Sequence, residues 1–156
     1  MTRYAHATYC DDIRQELGGK LTLVGVYSGS LLVPSFPVIL PKLCLVLQIV
    51  TAADSPLKEL KIRVLMDEAV IAEGELAVGD LEAGFAAIAA EKDSDDSTPE
   101  ADRRFLLGAH FIFSPIKFDG PGAIRVRVDT ENGELKANAL RIEQAKVLAS
   151  ETPAAD

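Results

Sequence analysis

The run Pro41-Lys42-Leu43-Cys44-Leu45-Val46-Leu47-Gln48-Ile49-Val50-Thr51 constrains this chain more than any other stretch. Both of its alternating faces are apolar except at Gln48, and it lies between Pro41 and the break Ala52-Ala53-Asp54-Ser55-Pro56. A run this short cannot span a membrane as a helix, and its branched side chains suit a pleated surface. It reads as a central strand covered on both sides, which other strands must flank.

Those strands are legible on either side. Tyr4 to Cys10 alternates between a Tyr4/His6/Thr8/Cys10 face and an Ala5/Ala7/Tyr9 face. A single turn of helix is then expected, with Asp11 or Asp12 as cap, Ile13 and Leu17 at i and i+4 on the core side, and Gly18-Gly19 as the stop. Lys20 to Ser28 reads as a second strand, and Gly25 within it signals a bulge or a close neighbour. Leu31-Leu32-Val33 leads into Pro34 to Pro41, where the prolines at 34, 37 and 41 each remove a backbone donor, so that segment reads as an ordered crossing between sheets and not as a central strand.

Leu60 to Met66 and Val70 to Leu76 form a hairpin pattern. A three-residue loop at Asp67-Glu68-Ala69 pairs Met66 with Val70, Val64 with Ala72, Ile62 with Gly74 and Leu60 with Leu76, which matches apolar residues across the pair. Leu81, Phe85 and Ile88 recur at helical spacing, so Asp80 to Ala90 reads as a short helix despite Gly84. Residues 91–104 read as a mobile acidic loop. Phe105 to Phe113 follows as a strand, and Pro115 soon after it either places it at an edge or ends it. Finally, Ile124, Val126 and Val128 alternate up to Asn132-Gly133, a type I′ turn signal that sets Val128 opposite Ala137. An extra residue near Ala139 or Leu140 would place Ile124 opposite Ile142 through a β-bulge.

Together these patterns predict an all-β chain: an antiparallel β-sandwich, immunoglobulin-like or C2-like, of about eight strands with one or two short helices. At 156 residues it fits one domain over residues 1–149, with a disordered tail at 150–156. The amino terminus has no continuous apolar stretch of the kind a signal peptide needs, and the two cysteines, Cys10 and Cys44, do not make a disulfide scaffold. A cytoplasmic protein with both thiols buried as small apolar groups is expected.

Charge narrows the partners. A net charge of −8, without a basic cluster, argues against nucleic acid and anionic membrane. Catalytic motifs are missing: Gly18-Gly19-Lys20-Leu21 lacks the rest of a phosphate-binding loop, Gly25-Val26-Tyr27-Ser28-Gly29 spaces its serine wrongly for a nucleophile elbow, and no zinc spacing occurs. His6 and Cys10 share a strand face but stand about 13 Å apart, too far for a Cys–His pair. The acidic run Asp93-Ser94-Asp95-Asp96-Ser97 lacks the turn glycine and final glutamate of a calcium loop. No catalytic constellation and no cofactor are expected.

Three segments carry a resemblance: Cys10-Asp11-Asp12-Ile13-Arg14-Gln15-Glu16, then Lys20-Leu21-Thr22-Leu23-Val24-Gly25-Val26-Tyr27-Ser28-Gly29, then Pro37-Val38-Ile39-Leu40-Pro41-Lys42-Leu43. Their pattern resembles a family of small bacterial and phage-encoded proteins of unknown function, up to Ala53 and again from Phe111 to Ala145. The resemblance implies a bacterial or phage cytosolic protein and carries no activity with it.

The polar cluster Asp11, Asp12 and Arg14 is the candidate contact site. It reads either as a cap with an ion pair that stabilises the strand ends or as a charged patch for a protein partner or a second copy. A non-catalytic interaction or structural module is the leading expectation. The alternative is a calcium-binding or small-ligand domain built from the strand-end carboxylates Asp11, Asp12, Asp54, Asp67, Glu68 and Asp119, because calcium requires hard oxygen ligands.

Overall fold

The computed structural model describes residues 3–91 and 103–146, and within them the chain is mostly β with antiparallel sheets. The described elements are β1 (Tyr4–Cys10), β2 (Asp12–Gln15), β3 (Leu21–Val24), β4 (Ser30–Val33), β5 (Val38–Leu40), β6 (Leu43–Ala52), β7 (Leu60–Met66), β8 (Ala69–Leu76), α1 (Val78–Glu91), β9 (Arg104–Phe113), β10 (Ile116–Phe118), β11 (Gly122–Thr130), β12 (Gly133–Lys136) and β13 (Leu140–Gln144). That makes thirteen described strands in place of the expected eight or so, because several long stretches break into short pieces at glycine and proline. The acidic run from 92 to 102 and the tail beyond 146 lie outside the described residues.

β6 occupies the place its sequence asks for. It is the middle strand of the three-stranded sheet β1-β6-β9, and every one of its residues except Gln48 is buried. A larger, six-stranded sheet runs β4-β13-β11-β7-β8, with β12 also paired to β11. The β4–β13 pair is parallel, an exception to the antiparallel rule. Between the sheets the chain crosses through β5, which pairs only with β10, as the prolines around it dictate.

One core cluster draws on both sheets. Leu43, Leu45, Leu47 and Ile49 of β6 meet Ile62 and Val64 of β7, Ile124, Val126 and Val128 of β11, and Leu140 and Ile142 of β13. Leu81 and Phe85 of α1 close one end, where the Phe85 ring lies 4.9 Å from that of Phe105. The helix runs 14 residues, longer than its sequence pattern suggested.

Three local expectations are corrected. No helical turn follows β1. Instead Gly18 and Gly19, at φ 78° and 74°, reverse the chain so that β2 pairs with β3 as a hairpin. Leu17, expected in the core, is 94% exposed at its tip. Secondly, Met66 pairs with Ala69 across a two-residue loop at Asp67-Glu68, where Asp67 takes φ 52°, and a bulge next to Leu65 restores Val64 opposite Ala72. The Asp67 carboxylate accepts the Ala123 amide at 3.0 Å, which fixes the tight turn. Thirdly, the last hairpin turns one residue early.

In that hairpin Thr130 pairs with Gly133 and Val128 with Leu135, so Glu131-Asn132 form the loop. The Thr130 hydroxyl accepts from Asn132 N and donates to the Gly133 carbonyl, which holds this register. An extra residue does enter between Ala137 and Leu140, but it leaves Ile124 opposite Leu140, not Ile142. The register differs from the expected one by two residues, which keeps every side chain on its intended face.

Candidate interaction surface

The two sheets present very different outer faces. On the six-stranded sheet, charges of both signs pair off between neighbouring strands. Arg63 binds Asp129 through two bonds of 2.9 and 2.8 Å and also reaches Glu134 at 2.9 Å; Arg127 meets Glu134 at 3.5 Å and Lys61 meets Glu73 at 3.5 Å. This is a solvated surface whose charges satisfy one another.

The outer face of the three-stranded sheet carries no such lattice. Odd-numbered residues of β6 enter the core, so the even-numbered ones face outward in five rows: Tyr4–Val50–Leu106, His6–Gln48–Gly108, Thr8–Val46–His110, Cys10–Cys44–Ile112 and, at the end of the sheet, Ala52–Arg104. The first four rows make an uncharged face of twelve positions without Asp, Glu, Lys or Arg, in a chain that is 26% charged, and the exposed Arg104 of the fifth stands at its end. Tyr4, Leu106 and Ile112 stand 48%, 56% and 60% exposed. Both histidines of the chain, His6 and His110, are exposed on this face.

The β2–β3 hairpin borders the same face. Its tip residues Gln15, Glu16, Gly19, Lys20 and Leu21 line an open cleft of about 480 Å³ with Gly108 and His110 of β9. At its base the hairpin is tied down by backbone bonds: Asp11 N donates to Val24 O at 2.9 Å and Tyr27 N to Tyr9 O at 2.9 Å.

The three residues singled out by sequence all sit at that base, on neighbouring positions of the hairpin. Asp11 accepts a hydrogen bond from the Tyr27 hydroxyl, and burial followed by this carboxylate pushes the Tyr27 phenol up. Gly25, at φ 67°, lies so close to the Asp11 carboxylate that a side chain there would collide with it; the close neighbour is one of the two readings its glycine allowed, but the strand expected to run from Lys20 to Ser28 ends before it, at Val24. Asp12 accepts from Lys42 Nζ at 2.8 Å, with Arg14 Nε 3.9 Å away. The Lys42 bond holds the Asp12 carboxyl below its usual range. Asp11 and Asp12 thus join the hairpin to the body of the sheet, while Arg14 remains 68% exposed.

Beneath the hairpin, Cys10 and Cys44 face each other across β1 and β6, a pairing that their separation in sequence concealed. Both are fully buried. The Cys10 thiol lies 3.4 Å from Asp12 O and the Cys44 thiol 3.8 Å from Asp11 O, donating to these carbonyls. Burial, with Cys44 adding to it, pushes the Cys10 thiol up to about 11, and burial raises Cys44 likewise. Neither is a thiolate near neutral pH, so His110, one diagonal step from Cys44 on the same face, has no nucleophile to activate.

The remaining strand-end carboxylates do not converge. Asp67 holds the Ala123 amide, Glu68 lies 3.6 Å from Arg125, and Asp119 pairs with Lys117 at 2.7 Å. Among the described residues no three His, Cys, Asp or Glu are grouped to hold a metal ion, and no helix is long and apolar enough to cross a membrane.

Sequence reasoning singled out Asp11, Asp12 and Arg14, though it placed them at a helical turn and not at a hairpin, and it missed the uncharged face. Its signal was present in the alternation of residues 4–10, 44–50 and 106–112, but the strand order that sets these three side by side was not. No curated protein and no solved structure matches the chain. A family model does match, over residues 5–143, which takes in every strand of both sheets except the first residue of β1 and the last of β13. The chain belongs to that family, DUF6941, a family of unknown function.

Proposed function

We propose that this protein is a non-catalytic interaction module whose contact surface is the uncharged outer face of the β1-β6-β9 sheet, bordered by the hairpin base at Asp11, Asp12 and Arg14. The observation that carries the reading is the contrast between the two outer faces: one is laced with ion pairs, the other offers exposed Tyr4, Leu106 and Ile112 with neutral polar groups between them. Exposed apolar groups rimmed by polar ones are what protein interfaces use, with charge depleted at their centre. Asp12, Arg14 and Lys42 would then supply a charged rim. The same reading takes the two sheets as an immunoglobulin-like or C2-like sandwich, supported by the single core that joins them. Two free, buried thiols suit a reducing, cytoplasmic compartment.

The test is capture with the immobilised full chain beside two folded variants, Leu106→Lys with Ile112→Lys, and Asp11→Ala with Asp12→Ala and Arg14→Ala. A stoichiometric partner lost by the first variant supports the face. A partner that ignores both variants, or no specific partner at all, overturns this reading.

A further inference from the structure

The open edge of β9 deepens that reading by naming an occupant, and it rests on it. In an antiparallel sheet, alternate residues turn their backbone groups toward opposite neighbours. Ala7 and Tyr9 turn theirs away from β6, where Asn138 and Tyr27 take them up. The even-numbered residues of β1 therefore bond to β6, the odd-numbered residues of β6 bond to β9, and the even-numbered residues of β9 direct their N–H and C=O groups outward. Among the described residues, no hydrogen bond reaches those of Leu106, Gly108, His110 or Ile112.

Long open edges are templates for strand pairing, and proteins guard them. The edges of β1, β8 and β4 are guarded. That of β1 is closed by Asn138 and Tyr27; β8 has a bulge and carries Glu73 and Glu75; β4 is four residues long and stops at Pro34. β9 runs ten residues with no Asp, Glu, Lys or Pro and a single charge, Arg104, at its start. Its core-side residues Leu107, Ala109, Phe111 and Phe113 are only half-buried, whereas Leu43, Leu45 and Leu47 of the adjacent β6 are at 0%.

We propose that β9 pairs antiparallel with β9 of a second copy, about a two-fold axis at Gly108, joining two three-stranded sheets into one of six. The strand is complementary to itself in this register. Gly108 meets Gly108 at the axis, where neither has a side chain, and nothing lies within 4 Å of where a Cβ would be. Leu107 of one copy falls opposite Ala109 of the other, large against small, and Phe105 opposite Phe111. On the outer face Leu106 meets His110 and Arg104 meets Ile112, so no like charges oppose each other. A chain of net charge −8 repels its copy over most of its surface, and this strip has no acid to repel with. The pairing is isologous, which closes at two copies and leaves no edge for growth.

Sedimentation velocity of the full chain over a concentration series, with Gly108→Lys and Gly108→Ala, tests this. Both substitutions enter open space, and thermal melting checks that they fold. The wild-type chain and Gly108→Ala are expected to sediment as dimers at concentrations where Gly108→Lys, which sets two ammonium groups together at the axis, is a monomer. Amide exchange in the wild type should show Leu106, Gly108, His110 and Ile112 protected as the dimer forms. A dimer that survives Gly108→Lys, or forms without protecting these amides, overturns the β9 pairing. A monomer at every soluble concentration overturns the second copy as occupant, while the capture experiment above decides separately whether the face binds another protein.

Discussion

Arg3 Nη1 lies 2.6 Å from Glu131 Oε1, joining the start of the described chain to the turn of its last hairpin, 128 residues away. The guanidinium also bonds Thr51 Oγ1 at 3.0 Å and Pro56 O at 3.0 Å, and the other carboxylate oxygen accepts the Lys58 and Glu59 amides at 3.1 and 3.3 Å. One ion pair thus holds β1, the end of β6, the loop before β7 and the β11–β12 turn in register.

The pH dependence of stability should reveal this contact. Burial by itself raises the Glu131 carboxyl, but the bonds from Arg3 and the two amides outweigh it and hold the group at about 2, against 4.5 for an ordinary glutamate. A carboxyl depressed in the fold stabilises fully above pH 4.5, and that contribution is lost as the pH falls toward 2. Glu131→Gln should cost ~1–3 kcal/mol at neutral pH, as expected for hydrogen bonds to a charged group. The melting curves of variant and wild type should converge in acid. A gap that stays constant from pH 7 to 2 would refute this account.

Gly25 and Asp11 should be energetically coupled. Gly25→Ala meets two penalties, a positive φ worth ~1–3 kcal/mol and a collision with the Asp11 carboxylate. Only the second disappears in an Asp11→Ala background. Denaturant melts of the four-member cycle should therefore show Gly25→Ala costing less when Asp11 is absent. Strict additivity would mean that the loop moves aside freely.

Asn138 should be what keeps the β1 edge closed. Its side chain accepts the Ala7 amide at 2.8 Å and donates to the Ala7 carbonyl at 2.7 Å, imitating a neighbouring strand. Asn138→Ala should lower stability by ~1–2 kcal/mol through these two bonds and speed exchange of the Ala7 amide. If Ala7 keeps its wild-type protection, another group closes the edge.

Neither thiol should react while the protein is folded. Cys10 and Cys44 are buried and protonated beneath the hairpin. Titration with an aromatic disulfide at mildly alkaline pH should find no fast thiol in the native chain and two after denaturation. A single fast native thiol would show that the hairpin opens readily over the sheet.

The sequence by itself determined the periodicities. Strand alternation is local, so residues 4–10, 43–52, 60–66 and 122–130 declared their faces, and the run apolar on both faces save at Gln48 declared that β6 lies in the middle. Even the two-residue slip of the last hairpin left those faces intact, because a strand repeats every two residues. Local signals failed where two structures satisfied them equally. Asp11, Asp12 and the Gly18-Gly19 pair serve a helical turn as well as a hairpin, and only Val24 and Tyr27, which bond back to Asp11 and Tyr9, select the hairpin. Likewise, Asn132-Gly133 names a turn, but Thr130 holds its register and Glu131, gripped by Arg3, anchors it to the body of the fold. Which strands stand side by side rests on contacts between residues far apart in sequence. That is why the uncharged face and the open β9 edge, each assembled from pieces about a hundred residues apart or exposed for want of a neighbour, belong to the tertiary structure alone.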